Sequence, residues 1–107
     1  MTEIITRNEV MNDGKTIHLY FNGFIGLYAA YGYSAYLLCE NTKAKISYSD
    51  DMQMPVVVIN SVHLGELKNT FKVDTHRKGY YRFLVDNALN EDEYTEWANQ
   101  ARRGEVL

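Results

Sequence analysis

Hydrophobic and polar positions along the chain change period several times, and each change marks an element. Thr16 to Phe21 is dense in β-branched and aromatic residues and predicts a strand. Glu3 to Met11 fits either a strand paired with it across Asn12-Asp13-Gly14 or a short helix. Asn22-Gly23 and Gly26 allow a turn or bulge before Leu27. From Ala29 to Glu40 the apolar positions Tyr31, Ala35 and Leu38, with Leu27, Ser34 and Leu37 beside them, recur every three or four residues and predict a helix.

Lys45 to Ser49 alternates weakly, as a short edge strand does, and Asp50-Asp51 makes a solvated turn. Pro55 to Ile59 is an unbroken β-branched run, the pattern of a strand covered on both faces, and predicts the centre of the sheet. Asn60 or Ser61 can cap a helix with Leu64, Leu67 and Phe71 on its buried stripe. Val73 to Lys78 reads as a charged loop and Gly79 to Val85 as a strand. Asn90 with Glu93 forms a capping-box-like start for a last helix, spanning 90–104, that carries Tyr94, Trp97 and Ala101 on one face and stops at Gly104. Strands alternating with helices predict an α/β fold. The expected architecture is one compact domain over residues 1–107, with a mixed or largely parallel sheet of four to five strands and about three helices.

Composition narrows the function. Nine of the 14 aromatic residues are tyrosines, and Tyr20, Tyr28, Tyr31, Tyr33 and Tyr36 fall close together, which suits a half-wet surface. A net charge of −3 excludes a chain-wide electrostatic footprint for nucleic acid or anionic lipid, so any such contact must be local. The single Cys39 excludes an internal disulfide and points to a reducing, cytoplasmic compartment. No apolar run is long enough to span a bilayer, and no membrane partner is expected.

Catalytic patterns are weak. Gly14-Lys15-Thr16 resembles the end of a phosphate loop, but Glu9 stands where that loop needs its first glycine. His18, His63 and His76 lack metal-ligand spacing, and nothing near Cys39 promises a lowered pKa. Glu66 and Lys68, with Asp50 or Asp51, imitate a nuclease site only if they project together from a strand, whereas they fall on a predicted helix. The chain is therefore expected to be no enzyme and to hold no metal or cofactor. Asn22-Gly23-Phe24-Ile25-Gly26 stands apart, because a large ring between two glycines at a strand end can stack on a base.

H-L-Y-F-N-G-F-I-G-L-Y at 18–28, A-Y-L-L-C-E at 35–40, M-P-V-V-V-I-N-S-V-H-L at 54–64 and G-Y-Y-R-F-L-V-D-N at 79–87 follow one another in the order of a known domain. This order resembles the N-terminal mismatch-recognition domain of the MutS DNA mismatch-repair proteins, over about 17–87. The resemblance implies that domain's mixed α/β fold and places its base-stacking phenylalanine on Phe24. Gly26 stands where the family has the glutamate that hydrogen-bonds the mispaired base, a departure that bears on discrimination and not on fold. A non-catalytic DNA-binding or DNA-associated module is thus expected. Phe24 would be its wedge, with Asn22, Tyr28, Tyr31, Tyr33, Lys15 and Lys43 as further contacts. The rival expectation is a protein-interaction or regulatory module that meets a protein partner or a second copy through the tyrosine-rich surface.

Overall fold

Frequent turns break this chain into short pieces, and a computed structural model shows how they assemble for residues 2–23, 25–42, 44–85 and 91–104. The chain opens with a helix, α1 (Thr2–Val10), which resolves the choice between strand and helix at the N-terminus. A hairpin followed by a helix then recurs three times. The first unit is β1 (Thr16–Asn22), β2 (Leu27–Tyr31) and α2 (Gly32–Asn41). The second is β3 (Ile46–Ser49), β4 (Met54–Ile59) and α3 (Ser61–Thr70), and the third is β5 (Lys72–Arg77), β6 (Tyr80–Leu84) and α4 (Glu91–Arg102). The hairpins lie side by side in one six-stranded sheet of order β3-β4-β2-β1-β6-β5.

Every pairing in that sheet is antiparallel, which corrects the expected mixed or largely parallel sheet of four to five strands. The physical reason is the number of strands between helices. One strand per helix demands a parallel crossover, whereas two strands per helix close as a hairpin and let the helix lead to the next one. Two strands were hidden. β2 was absorbed into the predicted helix over 29–40, because its two alanines and flanking tyrosines fit either period. β5 lies at the sheet edge and is exposed along nearly its whole length, so its charge reads as loop. The result is an α+β domain with four helices among the described residues, where about three were expected.

Burial separates the two faces of the sheet. On one, Ile17 and Leu19 of β1, Ala30 of β2, Val57 and Ile59 of β4 and Tyr81 and Phe83 of β6 form a single core. Ala35, Leu37 and Leu38 of α2 and Leu64 and Leu67 of α3 close that core, with Trp97 of α4 packed against it. On the other face α1 lies over the middle strands, and Ile5 is buried there. β1 is therefore covered on both sides, its residues Ile17 to Tyr20 all buried. β4 was expected at the centre, yet it lies second from the edge and alternates buried Pro55, Val57 and Ile59 with half-buried Met54, Val56 and Val58. An unbroken run of valines cannot by itself reveal whether a second layer reaches it.

Local signals account for several boundaries. Asn60 caps α3 as expected, its Oδ1 accepting from the backbone N–H groups of Val62 and His63 at 3.0 Å each. Phe71, expected on the buried stripe, is partly buried against the core and also forms the C-cap, its N–H donating to the Leu67 carbonyl at 2.8 Å. Asn90, the expected cap of α4, lies outside the described residues. Gly32 turns the chain from β2 into α2 at φ +56°, where a Cβ would stand 3.1 Å from Met54 Sδ. An L-residue in that conformation is strained, so Gly32→Ala is expected to destabilise the fold by about 1–2 kcal/mol. A lower urea midpoint at unchanged slope would show it, and an unchanged midpoint would refute it. Among the described residues no helix is long and apolar enough to cross a membrane.

Candidate functional site

Antiparallel register decides which side chains meet on the face under α1. β1 and β6 pair His18 with Arg82 and Tyr20 with Tyr80, so these four side chains share that face. Tyr20 packs against Tyr80 with ring centroids 5.5 Å apart and against Tyr31 at 6.3 Å. His18 stacks on Tyr80 at 6.0 Å, and its Nδ1 shares a hydrogen bond of 2.6 Å with the Tyr80 hydroxyl. Burial, helped by the Arg82 charge, lowers the His18 pKa to about 4, so the ring is neutral at pH 7. Burial likewise raises Tyr80. The Tyr80 ring is thus fixed from one side by two aromatic neighbours and a hydrogen bond.

β5 adds the charge. It pairs Thr75 with Arg82 and Arg77 with Tyr80, and Lys78-Gly79 forms the turn, where Gly79 has φ +78°. Register irregularity at Asp74 bends the strand, and the Asp74 carboxylate accepts from Arg82 Nε at 2.6 Å. That bond holds the Asp74 carboxyl below its ordinary pKa. Arg82 is therefore neutralised, while among the described residues Arg77 and Lys78 have no ion-pair partner. Together with Ile4, Tyr20, Thr75, Gly79 and Tyr80, these three cations line a hollow of about 410 Å³. Between residues 72 and 82 the chain carries Lys72, Arg77, Lys78 and Arg82 against Asp74 alone, a local excess of positive charge in a chain of net charge −3.

The glycine-flanked turn expected to matter lies at the same end of the sheet. Phe21 N–H donates to the Gly79 carbonyl at 2.9 Å, which ties the end of β1 to the basic turn. Asn22 closes β1, and its carbonyl accepts from Gly26 N–H at 2.9 Å. Phe24 itself lies outside the described residues, as does Lys43. Of the remaining expected contacts, Tyr31 lines a hollow with Asn22 and Gly23 on the face under α1, whereas Tyr28, Tyr33 and Lys15 lie elsewhere. Tyr28 points into the opposite face between Phe21 and Tyr81, at centroid distances of 5.2 and 5.7 Å. Tyr33 packs on Tyr94 of α4 at 4.3 Å, and Lys15 precedes β1 at the end of the sheet away from the basic turn.

Two further groups define the chemistry. Glu9 reaches from α1 to the start of α2, where its carboxyl accepts from Ser34 N–H at 2.9 Å and meets Ser34 Oγ at 2.6 Å. Tyr31, the N-cap of α2, makes no side-chain cap bond, so Glu9 caps that helix from another element. Burial raises the Glu9 pKa to about 7. Cys39 is pushed up to about 11, again by burial, which removes thiolate character at neutral pH. Glu66 and Lys68 lie on α3, and Lys68 Nζ sits 4.9 Å over the Tyr81 ring. Among the described residues no group of three or more His, Cys, Asp or Glu side chains could hold a metal ion.

No family model, curated protein or solved structure matches this chain. The site must speak through its own geometry. Arg77, Lys78, Tyr80 and Arg82 did not stand out in the sequence, because whole-chain charge masked them. A sliding count of charge would have found them, since K-V-D-T-H-R-K-G-Y-Y-R holds four of the 11 cations and one carboxylate.

Proposed function

We propose that this chain is a non-catalytic nucleic-acid-binding module that meets its ligand through the β5–β6 hairpin. The observation that carries the reading is the unpaired Arg77 and Lys78 beside the partly exposed Tyr80, on the most basic segment of an acidic chain. Local positive charge attracts phosphates, and the negative remainder opposes indiscriminate adhesion. The adjacent glycine-flanked turn supports the same surface, and the resemblance to the MutS mismatch-recognition domain gives Phe24 a base-stacking role. The competing idea of a tyrosine-rich docking surface loses support, because Tyr20, Tyr36 and Tyr81 are buried and the tyrosines divide between opposite faces.

Fluorescence anisotropy with labelled single-stranded and duplex DNA tests the proposal. Affinity is expected to fall steeply between roughly 50 and 200 mM salt, as counterion release requires. The double variant Arg77→Glu/Lys78→Glu, on exposed positions, is expected to weaken binding by about tenfold while leaving the circular dichroism unchanged. Absence of binding at micromolar protein, or equal affinity of the double variant, would refute the reading.

A further inference from the structure

The hollow beside the basic turn has more than charge, and its walls are chemically divided. Ile4 on α1 is 47% exposed and supplies an apolar side. Tyr80 supplies a ring whose position is set by His18 and Tyr20 rather than by the ligand. Arg77 and Lys78 sit at the rim, Arg77 directly across the strand pair from Tyr80. Arg82 is occupied by Asp74, so the two rim cations are the ones left for a ligand. A volume of about 410 Å³ suits a small ligand unit.

We propose that this hollow holds one nucleotide of a single strand, with its base against Tyr80 and its phosphate between Arg77 and Lys78. The inference rests on the nucleic-acid reading above and deepens it by naming the ligand class. A base inside a duplex is stacked on its neighbours and cannot enter a recess walled by α1 and a hairpin, whereas an unpaired base can. Stacking on a ring tolerates every base, so selectivity is expected for single strands over duplex rather than for sequence. Because Tyr80 is already held in place, little side-chain freedom is lost on binding, which favours a platform role.

Anisotropy with a labelled oligothymidine, competed by unlabelled oligothymidine, by duplex DNA or by inorganic polyphosphate, separates base from charge. Tyr80→Leu is expected to weaken single-strand binding by about tenfold or more, while Tyr80→Phe, which keeps the ring and loses the bond to His18, stays within about threefold. Polyphosphate, which offers charge without a base, is expected to compete equally well against wild type and Tyr80→Leu. If Tyr80→Leu retains full affinity while Arg77→Glu/Lys78→Glu loses it, the charge reading stands and the nucleotide pocket falls. If both variants bind like wild type, both readings fall. Amide chemical-shift mapping on the unmodified chain guards against a misfolded variant. Oligothymidine should move Ile4 and residues 75–82, and polyphosphate should move Arg77 and Lys78 but spare Ile4. Shifts centred elsewhere would overturn the pocket.

Discussion

Phe83→Ala is expected to reduce the stability of this domain by about 3–5 kcal/mol, the range for removing a fully buried phenyl group. Phe83 on β6 is completely inaccessible and lies directly across from equally inaccessible Ile17 on β1. Its ring stacks on Tyr81 at 5.8 Å with the planes 13° apart. Deleting it opens a cavity at the seam between the first and third hairpins, where neither strand can close the gap without disturbing the register of β1 with β6. A domain of this size commonly has only about 5–15 kcal/mol in total, so the variant would sit near the edge of folding. Urea unfolding followed by circular dichroism measures the loss, and Phe83→Leu, which keeps most of the apolar volume, should lose clearly less. A loss below about 1 kcal/mol would mean that this seam does not hold the hairpins together.

The same seam explains what was legible in the sequence. β1, β4 and β6 were readable because their β-branched and aromatic density is a local property, and β3 because its apolar positions alternate, if weakly. The helices α3 and α4 announced themselves through a cap and a charged first turn. What no local pattern carried was the partner of each strand. Leu27–Tyr31 becomes a strand because it lies between β1 and β4, where Ala29 and Ala30 are small enough for layers to approach from both sides. Once β2 is a strand, the element order changes from strand-helix to hairpin-helix, and the sheet turns from mixed or largely parallel to antiparallel.

The candidate site was partly hidden for the opposite reason. The glycine-flanked turn at 22–26 was visible, yet the cations that accompany it belong to the β5–β6 hairpin, more than fifty residues later. Only the pairing of β1 with β6 brings Gly79 to Phe21 and so places Lys78 beside that turn. The tyrosines misled in the same way. Their clustering in sequence suggested one surface, but alternation along β1 and β2 sends Tyr20 and Tyr31 to one face and Tyr28 to the other. Tyr36, one turn into α2, packs instead on Trp97 of α4 at 5.2 Å.

Glu9 is the position where pH and fold stability are expected to meet. Its carboxyl is the only side-chain group that caps the start of α2 among the described residues, and it ties α1 to the body of the domain through Ser34. Ser34 Oγ in turn accepts from the His18 N–H at 2.9 Å, so the bond reaches into β1. Burial raises the Glu9 pKa from 4.5 to about 7, which means that the folded chain holds this proton more tightly than the unfolded chain. The stabilising contribution is therefore complete below about pH 4.5 and is lost as pH rises through about 7, over a total range of about 3 kcal/mol. His18 acts in the reverse direction, because its lowered pKa withdraws stability as pH falls from 6.5 towards about 4. Asp74, held low by Arg82, also favours higher pH. Glu9→Gln isolates the effect, since the amide imitates the protonated acid and leaves His18 and Asp74 in place. The variant should match wild type near pH 5 and exceed it near pH 8, and parallel stability curves across that interval would refute the assignment. Glu9→Ala should be destabilised by about 2–3 kcal/mol even at pH 5, because the Ser34 N–H and hydroxyl lose their partner in a buried site. Loss of that partner frees the end of α1 nearest α2, so amide exchange in Glu9→Ala is expected to accelerate first in α1 and the opening turn of α2, ahead of β1 and β6.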